Sequence, residues 1–257
     1  MIIVGTAGYS YRDWVGPVYP EGTQDKDMLT HYAQEFSFTE INSSFYRMPN
    51  RFMLDNMQKK TPDDFRFAVK VFRGFTHERE GIVELGPVFQ EALEPLRETG
   101  KLACVLAQFP NSFRNERENR RHLVTLRQVL GDLPVVVEFR HRSWAETEAV
   151  FPFLDDLGFG LVCVDAPKLA SLFPDILRVT GNIAYVRFHG RNAAKWWKHQ
   201  EAYERYDYLY SPEELEEWVP KLRSLASQAD SVYAVMNNHY QGKAYLNAQQ
   251  LRALLQG

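Results

Sequence analysis

Polar residues recur along this chain where apolar, β-type runs end, and their types suit acid–base and anion chemistry. Val135-Val-Val ends in Glu138-Phe-Arg140-His141, and Tyr185-Val runs into Arg187-Phe-His189. Elsewhere Glu40 and Asn42, Lys70, Gln108, Asp165, and Asn237 with His239 close similar runs. A carboxylate held within hydrogen-bond reach of a substrate supplies about 10² to 10⁴ in rate as general acid or base. Glu138, Glu40 and Asp165 are the carboxylate candidates for that role. His189 is the candidate for proton transfer near neutrality, because an unperturbed imidazole has a pKa near 6.5. Side chains two apart on a strand share a face. Glu40 therefore pairs with Asn42, Glu138 with Arg140, Arg187 with His189, and Asn237 with His239.

The runs that must position these groups lie near 2–5, 38–41, 65–69, 102–107, 135–138, 161–164, 183–188 and 231–236. Helical spacing fills 28–36, 51–60, 83–97, 116–130, 146–157, 212–229 and 247–255. The interval between strands six and seven carries the weakest helical pattern. Ser211-Pro212-Glu213-Glu214 is a helix start, with a capping hydroxyl, a proline at the first position and acids facing the helix dipole. Alternating β and α units imply a parallel sheet. No glycine-rich nucleotide turn follows strand one, and eight units in 257 residues suit a closed (β/α)8 TIM barrel occupying residues 1–257 as one domain. Such a barrel gathers its strand exits on one face, where its active sites lie. A structural ion network closing the barrel top would use the same residues.

A net charge of −3 gives no global reason to expect nucleic acid as a partner. Cys104 and Cys163 each sit inside an apolar run, as buried thiols rather than a disulfide or metal pair. The chain enters its first strand without a charged leader, and no apolar run approaches membrane-spanning length. The expectation is a cytoplasmic protein with no membrane partner. Oligomeric state has no signal in the sequence.

A set of longer motifs resembles the YecE-like family, also called domain of unknown function seventy-two. It comprises Gly5-Thr-Ala-Gly-Tyr9 with Trp14-Val-Gly-Pro-Val-Tyr19-Pro20, then Glu40-Ile-Asn-Ser-Ser-Phe-Tyr46-Arg-Met-Pro49 and Val69-Lys70 with Thr76-His77. Gln108-Phe-Pro110, Glu138-Phe-Arg-His-Arg-Ser-Trp144, Phe188-His-Gly-Arg191 and Asn237-Asn-His-Tyr-Gln-Gly242 complete it. The resemblance spans nearly the whole chain and implies a TIM barrel; it implies no reaction. Two departures stand out, Ala7 in place of a serine and Asn111 in place of a second proline.

Loops after strands seven and eight of such barrels often hold phosphate. Here they carry Arg187, His189, Gly190 and Arg191, then Asn237, His239 and Gly242. The arginine forks fit anionic oxygens, so an anion is expected near Arg187 and Arg191. The rival reading pairs Arg187 with Asp165 or Glu138 and leaves Arg191 solvated. Long loops follow strand one (6–27) and strand seven (190–211), crowded with Tyr9, Tyr11, Trp14 and Tyr19, and with Trp196, Trp197, Tyr203, Tyr206, Tyr208 and Tyr210. They would form a lid or ligand wall, or pack on the rim; Trp196 and Trp197 cannot easily both point inward.

The resulting expectation is a small anionic ligand, phosphorylated or polyhydroxylated, with acid–base hydrolase or lyase chemistry. Glu138, His189, Glu40 and Asp165 are the catalytic candidates; Arg140, Arg187, Arg191, Lys70, Asn42, Gln108, Asn237 and His239 are the ligand-binding ones. No cofactor is expected. The alternatives are a metal-dependent phosphodiesterase or nuclease-like barrel, or a non-catalytic protein that binds nucleic acid or a small anion. A divalent metal would draw on Glu40, Glu138, Asp165, His189 and His239, against repulsion from Lys70, Arg140 and Arg187.

Overall fold

In a computed structural model, eight parallel strands close into a barrel in sequence order: β1 (Ile2–Ala7), β2 (Phe38–Ile41), β3 (Arg66–Lys70), β4 (Leu102–Gln108), β5 (Val135–Glu138), β6 (Phe159–Asp165), β7 (Ile183–Phe188) and β8 (Ser231–Met236). The structure describes residues 1–257, apart from the side chain of Ala202. Closure is made by β8 on β1, with Ile2 opposite Val232 and Thr6 opposite Met236. No described helix is long and apolar enough to cross a membrane.

The helices are α1 (Asp25–Glu35), α2 (Ser43–Tyr46), α3 (Arg51–Lys59), α4 (Ile82–Glu98), α5 (Arg117–Leu130), α6 (Val150–Asp156), α7 (Pro212–Glu216), α8 (Trp218–Ala226) and α9 (Lys243–Gln256). In α4, Phe89, Leu93 and Leu96 recur at helical spacing and are buried; in α5 Leu123, Leu126 and Leu130 do the same. Ser211 and Glu214 form a reciprocal capping box at the start of α7.

Four elements depart from the sequence expectation. No helix links β6 to β7: residues 166–182 cross as a loop, pinned where Phe173 N–H donates to Arg140 O (2.9 Å) and Arg142 N–H to Ser171 O (3.1 Å). Pro167 and Pro174 in that loop remove backbone donors a helix needs. The helix expected over 212–229 breaks at Glu217 and restarts at Trp218, so Pro220 falls in the first turn of α8, where a proline is tolerated. The short α2 and a π-helical turn over Gly74–Glu78 follow β2 and β3 and had no periodic signal.

Inside the barrel, Phe38, Tyr185 and Tyr233 form an aromatic layer, with centroid separations of 4.7 to 6.4 Å. Gly5 makes room for it. A Cβ there would lie 2.3 Å from the Phe38 carbonyl oxygen and 2.8 Å from its ring. This layer is the floor on which the polar residues of the strand exits rest.

Candidate functional site at the barrel mouth

Above the aromatic floor, Arg187 joins two carboxylates. Its Nη2 donates to Glu40 Oε1 at 2.7 Å and its Nη1 to Glu138 Oε2 at 2.6 Å. Arg187 is 2% exposed, and both glutamates are fully buried. The Tyr185 hydroxyl donates to the other Glu40 oxygen at 2.8 Å. Alternation on β7 thus carries Tyr185, Arg187 and His189 up one inner face. The Arg140 Nε lies 2.6 Å from Glu138 Oε1 without the alignment of a hydrogen bond, so that contact is Coulombic. Although burial pushes the Glu138 carboxyl up, Arg140, Arg187 and His189 together hold it well below its usual range.

His189 does not reach solvent. Its Nε2 faces Glu138 Oε1 at 3.1 Å and its Nδ1 faces the Asn237 amide nitrogen at 2.9 Å. Asn237 Oδ1 accepts from Arg187 Nη2 (3.4 Å), so its amide nitrogen is the side that donates to His189. The imidazole is therefore the neutral tautomer with its proton on Nε2. Burial and Arg140 push its pKa down to about 3. The expectation of His189 as a proton carrier at neutral pH is corrected on this ground: it props the network and stays uncharged. Glu138 and Glu40 are likewise sealed beneath Arg187, not presented to the mouth.

The groups presented to the mouth are different ones. A cavity of about 240 Å³ is lined by Lys70, Gln108, Arg140, Arg187, Asn42 and Ser43, and by Tyr11, Tyr46, Tyr206, Asn237 and His239. The half-buried Lys70 donates to Gln108 Oε1 at 2.9 Å and lies 4.4 Å from the centre of the Phe45 ring. Ser44 Oγ, on α2, sits 2.6 Å from the Lys70 carbonyl oxygen, tying the exits of β2 and β3 together. Desolvation, and next the charge of Arg187, push the Lys70 pKa down to about 7.

Both long loops are packed into the rim. Tyr11 stacks on His239 (4.6 Å, 1° between planes), and the Trp14 indole donates to the His239 carbonyl at 2.7 Å. In the second loop Trp196 is buried, 6.2 Å from His189 and 5.6 Å from the Arg140 guanidinium, whereas Trp197 turns outward and is 51% exposed. Tyr206 also turns inward, 6.0 Å from His189 and 6.1 Å from His239. The loop is stitched down by Gly190 N–H to the Tyr210 hydroxyl (2.9 Å) and by the Asn238 amide to the Tyr208 carbonyl (2.8 Å).

Asp165 and Arg191 lie apart from the mouth. Asp165 is on the outward phase of β6, opposite Phe188 of β7. It accepts from Arg191 Nε (2.9 Å) and Nη2 (2.7 Å), the Tyr210 hydroxyl (2.8 Å) and the Trp218 indole (2.8 Å). Arg191 also bonds Glu214 at 3.0 Å. The expected meeting of Arg187 and Arg191 on one anion therefore does not occur, because the two point to opposite sides of the barrel wall. Sequence reasoning missed Tyr185, whose signal was its i, i+2 spacing from Arg187, and Ser43 and Tyr46, which lie on the unanticipated α2.

Three larger cavities lie elsewhere, one of them, of about 370 Å³, beside Asp165 and Arg191 with Lys168 and Lys221. Another, of about 530 Å³, is at the opposite end of the barrel, around Met1, Gln34 and Arg252; the third, of about 500 Å³, is a mostly apolar groove beside the 166–175 loop. All three mix their cations with carboxylates, as Lys168, Arg191 and Lys221 stand with Asp165, Asp175 and Glu217, whereas the mouth is lined by cations without a carboxylate, and barrels of this kind place chemistry at the strand exits. Among the described residues no three His, Cys, Asp or Glu side chains converge as a metal cage. A divalent ion at Glu40 and Glu138 would have to displace Arg187.

The site belongs to an eight-stranded parallel barrel whose strand exits carry a buried Glu–Arg–Glu bridge under a cationic mouth. The chain is a member of the family described as "Protein of unknown function DUF72", which matches residues 3–257. It is 33% identical over 270 residues to the UPF0759 protein YunF of Bacillus subtilis (strain 168), covering 99% of this chain and 95% of that one. Among solved structures, a DUF72 family protein of Thermotoga maritima MSB8, TM1631, superposes with a TM-score of 0.92 at 39% identity over 100% of both chains. EF0366, a DUF72 family protein of Enterococcus faecalis V583, gives 0.89 at 28% identity over 100% of this chain and 96% of that one.

Proposed function

We propose that the barrel mouth binds a small anionic ligand, phosphorylated or polyhydroxylated, and carries out acid–base chemistry of the hydrolase or lyase type on it. The observation that carries this reading is the division of charge by depth. Glu40 and Glu138 are fully buried and bonded to Arg187, while Lys70, Arg140 and Arg187 line the cavity. Two carboxylates thus stand against three cationic side chains, and the third, Lys70, has no carboxylate within 4.0 Å among the described residues. An anion would supply the missing charge. The volume, about 240 Å³, is below the roughly 300–1,000 Å³ typical of drug-sized ligands and suits a small metabolite. Asn42, Ser43 and Asn237 add hydrogen-bonding groups suited to hydroxyls. Lys70, with a pKa near 7, is the group facing the ligand that can take or give a proton at neutral pH.

Thermal unfolding with inorganic phosphate, sugar phosphates and sugar acids tests the binding. A ligand at about 100 times its Kd adds roughly 2.7 kcal/mol, a rise of about 5 °C or more at this chain length. Arg140→Ala should fold and lose that rise. If none of these anions raises the midpoint of the unaltered protein, the reading fails.

A further inference from the structure

We propose that Lys70 is a nucleophile, forming an iminium (Schiff base) with the carbonyl carbon of a small ketone or aldehyde that also carries a phosphate or carboxylate. This rests on the anion-binding reading of the mouth and narrows it to a substrate class.

The geometry is that of an amine delivered into a cavity beside an anion-binding wall. β3 ends at Lys70, and Ser44 fixes the carbonyl of that residue at 2.6 Å. One N–H of the amine is held by Gln108 at 2.9 Å, and no carboxylate lies within 4.0 Å among the described residues. Lysines kept for structure end on carboxylates or carbonyls, as Lys101 does here, with its Nζ bonded to the Gln58 and Thr61 carbonyls at 2.7 and 2.8 Å. Lys70 instead ends on one amide oxygen, at the edge of a cavity that Arg140 and Arg187 also line.

A nucleophilic lysine must be uncharged, and desolvation next to other cations is the established route to that state. Burial and Arg187 favour the neutral amine here; the Phe45 ring, 4.4 Å away, and the carboxylates of Glu40 and Glu138 oppose them. The balance leaves a pKa of about 7, far below that of an ordinary lysine, so the free amine is accessible near neutral pH.

The amine lone pair forms the C–N bond while the carbonyl π pair moves to oxygen; the nitrogen gives up a proton and the oxygen takes one, giving the neutral carbinolamine. Loss of that oxygen as water, with one further proton, breaks the C–O bond and leaves the iminium. In sum, one carbonyl compound and one lysine ammonium give one protonated imine and one water; the positive charge is conserved, and neither oxidant nor reductant is needed. Ser43 and Tyr206 place hydroxyls on the same cavity wall for the proton movements, and Arg140 and Arg187 hold the anionic substituent. The resulting cation draws electrons from the adjacent carbon, as a lyase reaction requires.

Reductive trapping tests the assignment. The protein is incubated with pyruvate or with dihydroxyacetone phosphate, reduced with sodium cyanoborohydride, and read by intact mass and peptide mapping. The expected result is one adduct per chain on the peptide containing Lys70, at least tenfold above any other lysine, and suppressed by inorganic phosphate. Lys70→Arg should lose the adduct without gaining one on any other lysine. Should that variant not fold, the peptide map of the unaltered protein decides alone. Stabilisation by phosphate with no Lys70 adduct from either ketone overturns the nucleophile and leaves the anion site standing. Absence of both stabilisation and adduct overturns both.

Discussion

Replacing Arg187 with alanine removes the side chain that bridges Glu40 and Glu138, leaving only Arg140 beside Glu138. Both carboxylates are fully buried, bonded to Arg187 at 2.7 and 2.6 Å. Deleting one partner of a buried pair typically costs about 3–5 kcal/mol, since the charge left behind cannot be resolvated. At roughly 2–4 °C per kcal/mol for a chain of this size, the midpoint at pH 7 should fall by at least about 6 °C, and by enough to prevent folding at the upper end. The pH dependence follows from Glu138. In the native protein its pKa is depressed, so its contribution to stability is present above the unfolded carboxylate pKa and is lost as pH falls through the lower folded value. In Arg187→Ala the burial penalty remains with less to oppose it, so protonation relieves the variant while it weakens the parent. The two midpoint curves, measured by differential scanning calorimetry from pH 7 to pH 4, should converge. Glu40→Gln, Glu138→Gln and Arg187→Met combined should recover most of the loss, because the buried charges leave together. An Arg187→Ala midpoint within about 2 °C of the parent at pH 7, less than even a single kcal/mol would produce, would refute the argument.

Three further outcomes can be checked on the same instrument. Lys70→Met should be more stable than the parent at pH 6 and lose that advantage by pH 10: the folded pKa is lowered from 10.5 to about 7, so the native lysine destabilises fully below the folded value and is relieved as pH rises towards the unfolded one; a difference independent of pH rules this out. Asp165→Asn should cost about 2–4 kcal/mol, as it disrupts charge-assisted bonds from Arg191, Tyr210 and Trp218, while the thermal response to phosphate persists; loss of that response without destabilisation would move Asp165 into the ligand site. Gly190→Ala, at a φ of +82° where a Cβ would meet Tyr208 Cβ at 2.6 Å, should cost about 1–3 kcal/mol and weaken phosphate binding through the displaced Tyr206 loop; an unchanged midpoint contradicts it.

The barrel was legible in the sequence because each strand is an apolar run with a polar exit, and the parity rule worked wherever it had two polar residues to compare. Arg187 and His189 do share the inner face, with Tyr185 below them. It gave no phase for Asp165, a lone polar residue at the end of β6, whose seven residues are all buried and carry no alternation to read. The same limit applies to depth. Glu40, Glu138 and Lys70 look equivalent as strand exits, yet the glutamates are sealed and the lysine faces the cavity. Depth depends on how far each side chain reaches and which neighbour caps it, and Arg187 supplies that cap from a position some 147 residues from Glu40. The absence of a helix between β6 and β7 had a local sign in Pro167 and Pro174; the break at Glu217 had one in Pro220.

This layering gives the two carboxylates a role that their chemistry alone would not suggest. A guanidinium cannot be held at the base of a barrel mouth by water, and a buried arginine without partners would be prohibitive. Glu40 and Glu138 fix the Arg187 fork from below through separate nitrogens, Tyr185 orients Glu40, and neutral His189 and Asn237 occupy the remaining side. Arg140 is drawn to the same Glu138 residue at 2.6 Å, with Trp196 across its face. The acids thereby use up their charge inside the protein and position the cations around a third one, Lys70, that they do not contact. A positive, preorganised mouth with one amine near its titration point follows from that arrangement, which is why substitution at Lys70 should alter chemistry and substitution at Arg187 should alter folding.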